Sequence, residues 1–322
     1  MQEVIAFKER FDRVLGRYLD RKIKEVRKTT SDPYVLEVVK HARVLLMAGG
    51  KRVRPFLAFL SYRAAGGKKD ILEILVGLEL FHAFALVHDD IMDRGLERHG
   101  VATTHRLYGD AQAILLGDLL FEWANAIIAS TAGQPIFSHM VQEVILGQML
   151  DVDAIRREKI SDEFIRDKMR LKTASYTFIR PLQFGAALAG KPKMFALYER
   201  FGLPLGLAFQ IQDDLLDLTA SSEKLGKSAF NDIREGQKTV FTQFVSQNTK
   251  YDLGKYKNKK LSEQDKKKIR KILEESGAIE YGSKMMEWYF EEAETAMRES
   301  GLPIEKRIPF LEMIAYIRGR AY

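Results

Sequence analysis

Two copies of one acidic pattern, Asp-Asp-x-x-Asp, stand out: "HDDIMD" with Asp89, Asp90 and Asp93, and "QDDLLD" with Asp213, Asp214 and Asp217. On a helix, positions i and i+4 share a face with Cβ atoms roughly 5–6 Å apart. Three carboxylates that close repel one another unless a cation is supplied. With no Cys in the chain and no His at ligand spacing inside either motif, the oxygen donors suit Mg²⁺ better than Zn²⁺. Mg²⁺ keeps several waters and bridges one or two carboxylates to substrate phosphates, so two such clusters suggest a phosphate held between them. A single copy is equally well an N-cap or an exposed helix end. Two copies, each after a long apolar run, weaken that reading.

Basic residues recur in short segments: Lys51, Arg52 and Arg54 in "GGKRVRP", Arg98 in "ERHG", Lys172 in "RLKTAS", Lys227 in "LGKSAF" and Lys238 in "REGQKT". Taken singly, each reads as a surface cation. The chain carries 51 Lys and Arg against 44 Asp and Glu, a net charge of +7, which suits nucleic acid, an anionic membrane surface or small anionic substrates. Much of the excess lies in "KYKNKKLSEQDKKKIRK", residues 255–271. That run reads as a solvated loop and helix face, without the repeated aromatics that base stacking needs, so nucleic acid is not the expected partner. The absence of Cys excludes disulfides, thiolate metal sites and a cysteine nucleophile, and is compatible with a reducing cytoplasm.

Helices must position these groups. Apolar residues recur at three and four spacing in "YVLEVVKHARVLLMA", "ILEILVGLELFHAFALVHDDIMD", "AILLGDLLFEWANAIIAS" and "LPLGLAFQIQDDLLDL", and no convincing strand is found. Asp32-Pro33 predicts an N-cap and first turn, Gly49-Gly50 closes that helix, and Ser262 with Asp265 resembles a capping box. The helices over 71–93 and 203–218 are apolar on most faces, as expected at the centre of a bundle. The longest apolar stretch, 71–88, contains Glu73, Glu79 and two histidines and fails the test for a membrane span. The amphipathic N-terminus lacks the apolar core of a signal peptide. No linker or low-complexity tract divides the chain, so the expectation is a single all-α domain over 1–322, cytoplasmic and without a transmembrane segment.

Together and in this order, "GGKRVRP", "LVHDDIMD", "KT", "FQIQDDLLD" and "GKSAFNDIREGQKT" resemble the trans-polyprenyl diphosphate synthases, which elongate allylic diphosphates with isopentenyl diphosphate. The resemblance spans nearly the whole chain. It implies the all-α isoprenoid synthase fold, a homodimer, and about three Mg²⁺ ions bound with the allylic diphosphate. Carried over position by position, it makes Asp89, Asp93 and Asp213 the principal Mg²⁺ contacts, with Asp90, Asp214 and Asp217 in support. Lys51, Arg54 and His82 match positions that grip isopentenyl diphosphate, and Arg98, Lys172 and Lys227 match those that grip the allylic diphosphate. Thr173 and Gln210 match positions beside the reacting chain. The implied reaction is ionisation of the allylic C–O bond, attack by the isopentenyl double bond and loss of a proton.

Two positions depart from the family pattern. His99 stands where a second arginine is usual, which implies a weaker hold on isopentenyl diphosphate. Gln237 stands where "EGK" has its lysine, with Lys238 one position later. Phe84 precedes Asp89 by five residues, about 7.5 Å along a helix, and Phe81 lies one turn deeper; either ring can floor a hydrocarbon tunnel. An aromatic at this position, with no insertion in the first acidic motif, resembles synthases making C20, and Ala85 leaves room that a second aromatic would fill. Geranylgeranyl diphosphate is therefore the expected product, with farnesyl diphosphate the alternative if Phe81 truncates the chain. The rivals are a weakly active subunit of a heteromeric synthase, suggested by His99 and Gln237, and a terpene cyclase, whose second metal motif mixes Asn, Ser and Glu. From a different class, a His-Asp metal phosphohydrolase built on His82, His88-Asp89, His99 and His105 leaves "QDDLLD" unexplained.

Overall fold

Phe7, Phe11, Leu15, Tyr18 and Leu19 recur at helical spacing and are all buried, forming one apolar stripe along α1 (Gln2–Thr29). The computed structural model describes residues 2–219 and 230–319, which are helical apart from loops and one short ladder. They divide into two compact units, Met1–Phe137 with Pro181–Pro192, and Ser138–Arg180 with Lys193–Tyr322.

In the first unit, α2 (Pro33–Ala48) starts where Asp32 accepts the Val35 N–H and stops at Gly49, as the sequence predicts. α3 (Val53–Ala64), α4 (Leu72–Met92), a short α5 (Thr104–Tyr108) and α6 (Asp110–Ile128) follow. α4 packs against α1, α3 and α6, which accounts for apolar residues on most of its faces. A Cβ on Gly77 would come within 2.7 Å of Ile128, so glycine there sets the α4–α6 approach. The acid inside α4 is explained by a partner: Glu79 is buried and pairs with Arg52 at 2.5 Å, and Arg52 also pairs with Asp12 at 2.8 Å. α6 is the one described helix long and apolar enough to cross a membrane by length and composition. Its Leu116, Leu120 and Ala124 face is buried, while Ile114 and Leu115 are exposed.

One element escaped the helical reading. Glu97–Arg98 (β1) and Val101–Ala102 (β2) pair antiparallel across His99-Gly100. Both turn residues have positive φ, 51° and 76°, as a two-residue type I′ hairpin requires. Two residue pairs are too few to write an alternating pattern into the sequence.

The second unit takes up α7 (Gln134–Ala154) from Ser138. α8 (Asp162–Met169) then runs into a π-helical segment, Arg170–Ile179, followed by α9 (Arg180–Leu188), whose residues from Pro181 belong to the first unit. α10 (Phe195–Thr219) is the apolar centre here, packed against the π segment and a later helix, Ala278–Arg298. A Cβ on Gly206 would come within 2.3 Å of Ala174, so α10 rests directly on the π-helical backbone. α11 (Asn231–Glu235), α12 (Val240–Asn248), α13 (Glu263–Glu275), α14 (Ala278–Arg298) and α15 (Ile304–Arg318) complete the unit. Ser262 and Asp265 cap α13 reciprocally, and the Lys-rich run supplies its exposed face over buried Ile269, Ile272 and Leu273.

Candidate active site

In the first unit α4 terminates in its acids. Asp89 and Asp90 occupy the last turn and Asp93 is the C-cap. The chain then reverses through Arg94 at φ 54°, with the Arg94 N–H on the Ile91 carbonyl and the Gly95 N–H on the Asp90 carbonyl, a Schellman stop carrying Arg where Gly is usual. A helix C-terminus has partial negative charge, so carboxylates there are disfavoured unless a cation joins them. The converse holds at α3, where Lys51 precedes the helix, Arg52 is its N-cap and Arg54 lies in its first turn. Those cations crowd the positive end of a helix dipole. Arg52 is held by Asp12 and Glu79, while Lys51 is exposed and Arg54 half-buried.

His82 precedes Asp89 by seven residues and so shares its face of α4. Burial, then the charges of Arg54, Arg98, Arg52 and His99, push its imidazole well below the ordinary histidine range. The ring is therefore neutral at physiological pH, and Arg54, Arg98 and His99 are its electrostatic neighbours. Arg98 is fixed by Asp90: Nε lies 3.0 Å and Nη2 2.7 Å from the carboxylate, which is itself buried. Asp90, expected as a supporting metal contact, thus engages both oxygens with Arg98. His99 sits at the exposed hairpin turn with its ring against Gly49, where a Cβ would approach it to 3.0 Å. Its left-handed backbone is one that His adopts more readily than most side chains.

Phe84 is half-buried within a cluster of rings. Its centroid lies 4.6 Å from His88, 5.3 Å from Phe121 and 5.6 Å from Phe81. Phe81 is fully buried, meets Phe137 at 5.3 Å and backs Phe84. Phe121, on α6, was missed in the sequence because its spacing is that of any core residue. His88 reaches the Ile114 carbonyl at 3.1 Å by passing over Gly117, where a Cβ would collide with its ring at 2.3 Å.

In the second unit α10 carries Asp213, Asp214 and Asp217 in its last two described turns. The two oxygens of Asp217 accept the N–H groups of Asn231 and Asp232 at 3.1 Å each, so Asp217 anchors α11. Asp214 is buried and accepts Gln210 Nε2 at 2.7 Å, and Gln210 in turn accepts the Thr173 hydroxyl. Thr173 and Gln210 are thereby joined to the acidic set. Burial pushes the Asp214 carboxyl up to about 7, opposed by Gln210 and Lys168 and assisted by Asp213 and Asp217. Burial, with the charges of Asp214 and Asp217, likewise raises Asp232 well above the carboxylate range. Asp232 is a further member of this set, and its distance along the chain from "QDDLLD" hid it in the sequence.

Lys172 lies in the π segment, with Nζ 2.5 Å from Asp151 Oδ2, and Lys168 takes the other oxygen at 3.0 Å. Two opposing cations outweigh the effect of burial and hold Asp151 below its usual value. Lys238 lies just ahead of Thr239, the N-cap of α12. Lys227 falls outside the described residues. Both acidic sets offer carboxylate oxygen donors, a chemistry that fits Mg²⁺. Among the described residues no group of three or more acidic or imidazole side chains is placed to hold a metal ion by itself.

The family profile described as Polyprenyl synthetase matches residues 36–276. The chain is 32% identical over 297 residues to the geranylgeranyl diphosphate synthase of Methanosarcina mazei, covering 89% of this chain and 90% of that one. It is 31% identical over 265 residues to the geranylfarnesyl diphosphate synthase of Aeropyrum pernix, covering 77% and 83%. In three dimensions it matches the geranylgeranyl pyrophosphate synthase of Corynebacterium glutamicum complexed with isoprenyl diphosphate and magnesium, with a TM-score of 0.89 at 28% identity, over 97% of this chain and 99% of that one. The chain belongs to the polyprenyl synthetase family and is a trans-prenyltransferase, a short-chain isoprenyl diphosphate synthase.

Proposed function

We propose that this synthase condenses isopentenyl diphosphate with an allylic diphosphate to make the C20 product, geranylgeranyl diphosphate. The observation that carries the reading is the placement of charge at helix ends. Acids gather at the negative end of α4 and in the last two described turns of α10, and bases at the positive end of α3, so each set is stabilised by a ligand of opposite sign, Mg²⁺ for the acids and diphosphate for the bases. Mg²⁺, when bound, neutralises the diphosphate and makes it a leaving group. Asp89, Asp93 and Asp213 hold it, and Asp214 and Asp217 order the second set. Asp90 fixes the Arg98 guanidinium so that, with Lys172, Lys227 and Lys238, it meets the allylic diphosphate already oriented. Lys51, Arg54, neutral His82 and His99 hold isopentenyl diphosphate. The apolar wall of α4 excludes the water that would trap an allylic cation as an alcohol.

Product length is read from Phe84. Its ring is held by Phe81, Phe121 and His88 and is stiff enough to stop a chain. Ala85, one turn before Asp89, leaves the passage above it open, which argues against the C15 product. Replacing Phe84 by Ala should move the products beyond C20, read by chromatography of the dephosphorylated alcohols; an unchanged distribution would refute the floor. Asp89→Ala and Asp213→Ala should each lower elongation at least a hundredfold, and near wild-type rates in either would refute its role at the metal.

A further inference from the structure

Lys168 has no place in either motif, yet it is almost as buried as an ammonium can be: its side chain is 10% exposed. Burying that charge is unfavourable unless it is paired and hydrogen-bonded. Its ammonium pairs with Asp151 at 3.0 Å. Nζ also donates to the Lys238 carbonyl at 2.9 Å, which sets the ammonium beside the segment where Gln237 replaces the expected lysine. The Gln237 side-chain oxygen is buried there without a hydrogen-bond partner, an acceptor left in a place that suits a cation. Lys168 also shares Asp151 with Lys172, one helical turn on, taking Oδ1 while the more exposed Lys172 takes Oδ2.

We propose that Lys168 is a positioning residue beside the second acidic set: its resident cation shares Asp151, supplies the fixed positive charge that Gln237 does not, and leaves Lys172 to engage the allylic diphosphate. Without it, the full charge of Asp151 falls on Lys172 and draws that ammonium away from substrate. The inference rests on reading this set as a Mg²⁺ and diphosphate site. Lys168 acts through its neighbours and touches no reacting atom.

The test compares the wild type with Lys168→Met, Lys168→Arg and Lys168→Met/Gln237→Lys, all as full chains. Calorimetric titration with inorganic pyrophosphate in Mg²⁺ gives a readout independent of turnover. Lys168→Met should weaken that binding and raise the allylic KM at least tenfold while the isopentenyl KM stays within twofold. Lys168→Arg should stay within threefold of wild type, and adding Gln237→Lys to Lys168→Met should recover at least half of the loss on a logarithmic scale. Unchanged pyrophosphate binding by Lys168→Met, or equal losses for both substrates with no recovery by either basic replacement, would overturn the assignment while wild-type elongation left the functional reading standing. A wild type that elongates no primer would overturn the functional reading, and this inference with it.

Discussion

Asp90 and Arg98 form a bidentate pair, and that pairing separates two roles which the motif alone runs together. Asp90 sits inside Asp-Asp-x-x-Asp, but its oxygens are directed to Arg98, so its loss should injure substrate binding before metal binding. Charge-assisted hydrogen bonds contribute about 1.5–3 kcal/mol, and Asp90→Asn should therefore raise the allylic KM roughly ten- to hundredfold. The Mg²⁺ concentration for half-maximal rate should stay near wild type; a shift in it as large as that in KM would return Asp90 to the metal. The acidic pattern itself was plain in the sequence because its spacing lies within one helical turn. Lys168, Asp151 and Asp232 carry no such signal, because their partners lie in other elements and each alone looks like a surface charge. Arg52 shows the converse. It sits in a basic triplet that suggests a ligand, and only the fold reveals that Asp12 and Glu79 already hold it.

That network around Arg52 belongs to the scale of elements, since it ties α1 to α4 at the start of α3. Removing one partner of a buried ion pair leaves an uncompensated charge and costs about 3–5 kcal/mol. Arg52→Ala should lose that much by denaturant unfolding, whereas Arg52→Met with Glu79→Leu should recover most of it. Equal stability of the single and double variants would contradict the account. The same scale governs product length, because Phe84 is held jointly by α4 and α6. Ala85→Phe should fill the passage above Phe84 and shorten the products toward C15, and products still ending at C20 would show that the chain does not pass residue 85. Long apolar periodicities made α4 and α10 legible. The π segment was not, since a slightly wider turn leaves a similar apolar pattern, and a hairpin of two pairs leaves almost none.

For the whole molecule, the exposed apolar side chains include Ile114 and Leu115 on α6, and Ile145, Leu146 and Met149 on α7. Apolar patches of this kind mark contact surfaces, and a second copy of the chain is the proposed occupant. Light scattering should give twice the 36.9 kDa chain mass, and Leu115→Glu should shift it toward the monomer; a wild-type monomer at micromolar concentration would refute the dimer. On the proposed function, the acidic and basic sets await Mg²⁺ and diphosphate, and Phe84 ends the chain at C20. The most direct measurement is product analysis after incubating the protein with Mg²⁺, isopentenyl diphosphate and, separately, dimethylallyl, geranyl or farnesyl diphosphate. All three primers should converge on C20, and a chelator should abolish the reaction. Elongation that persists without divalent metal, products that stop at C15 or run to C25 and beyond, or no elongation of any primer would contradict the proposed function.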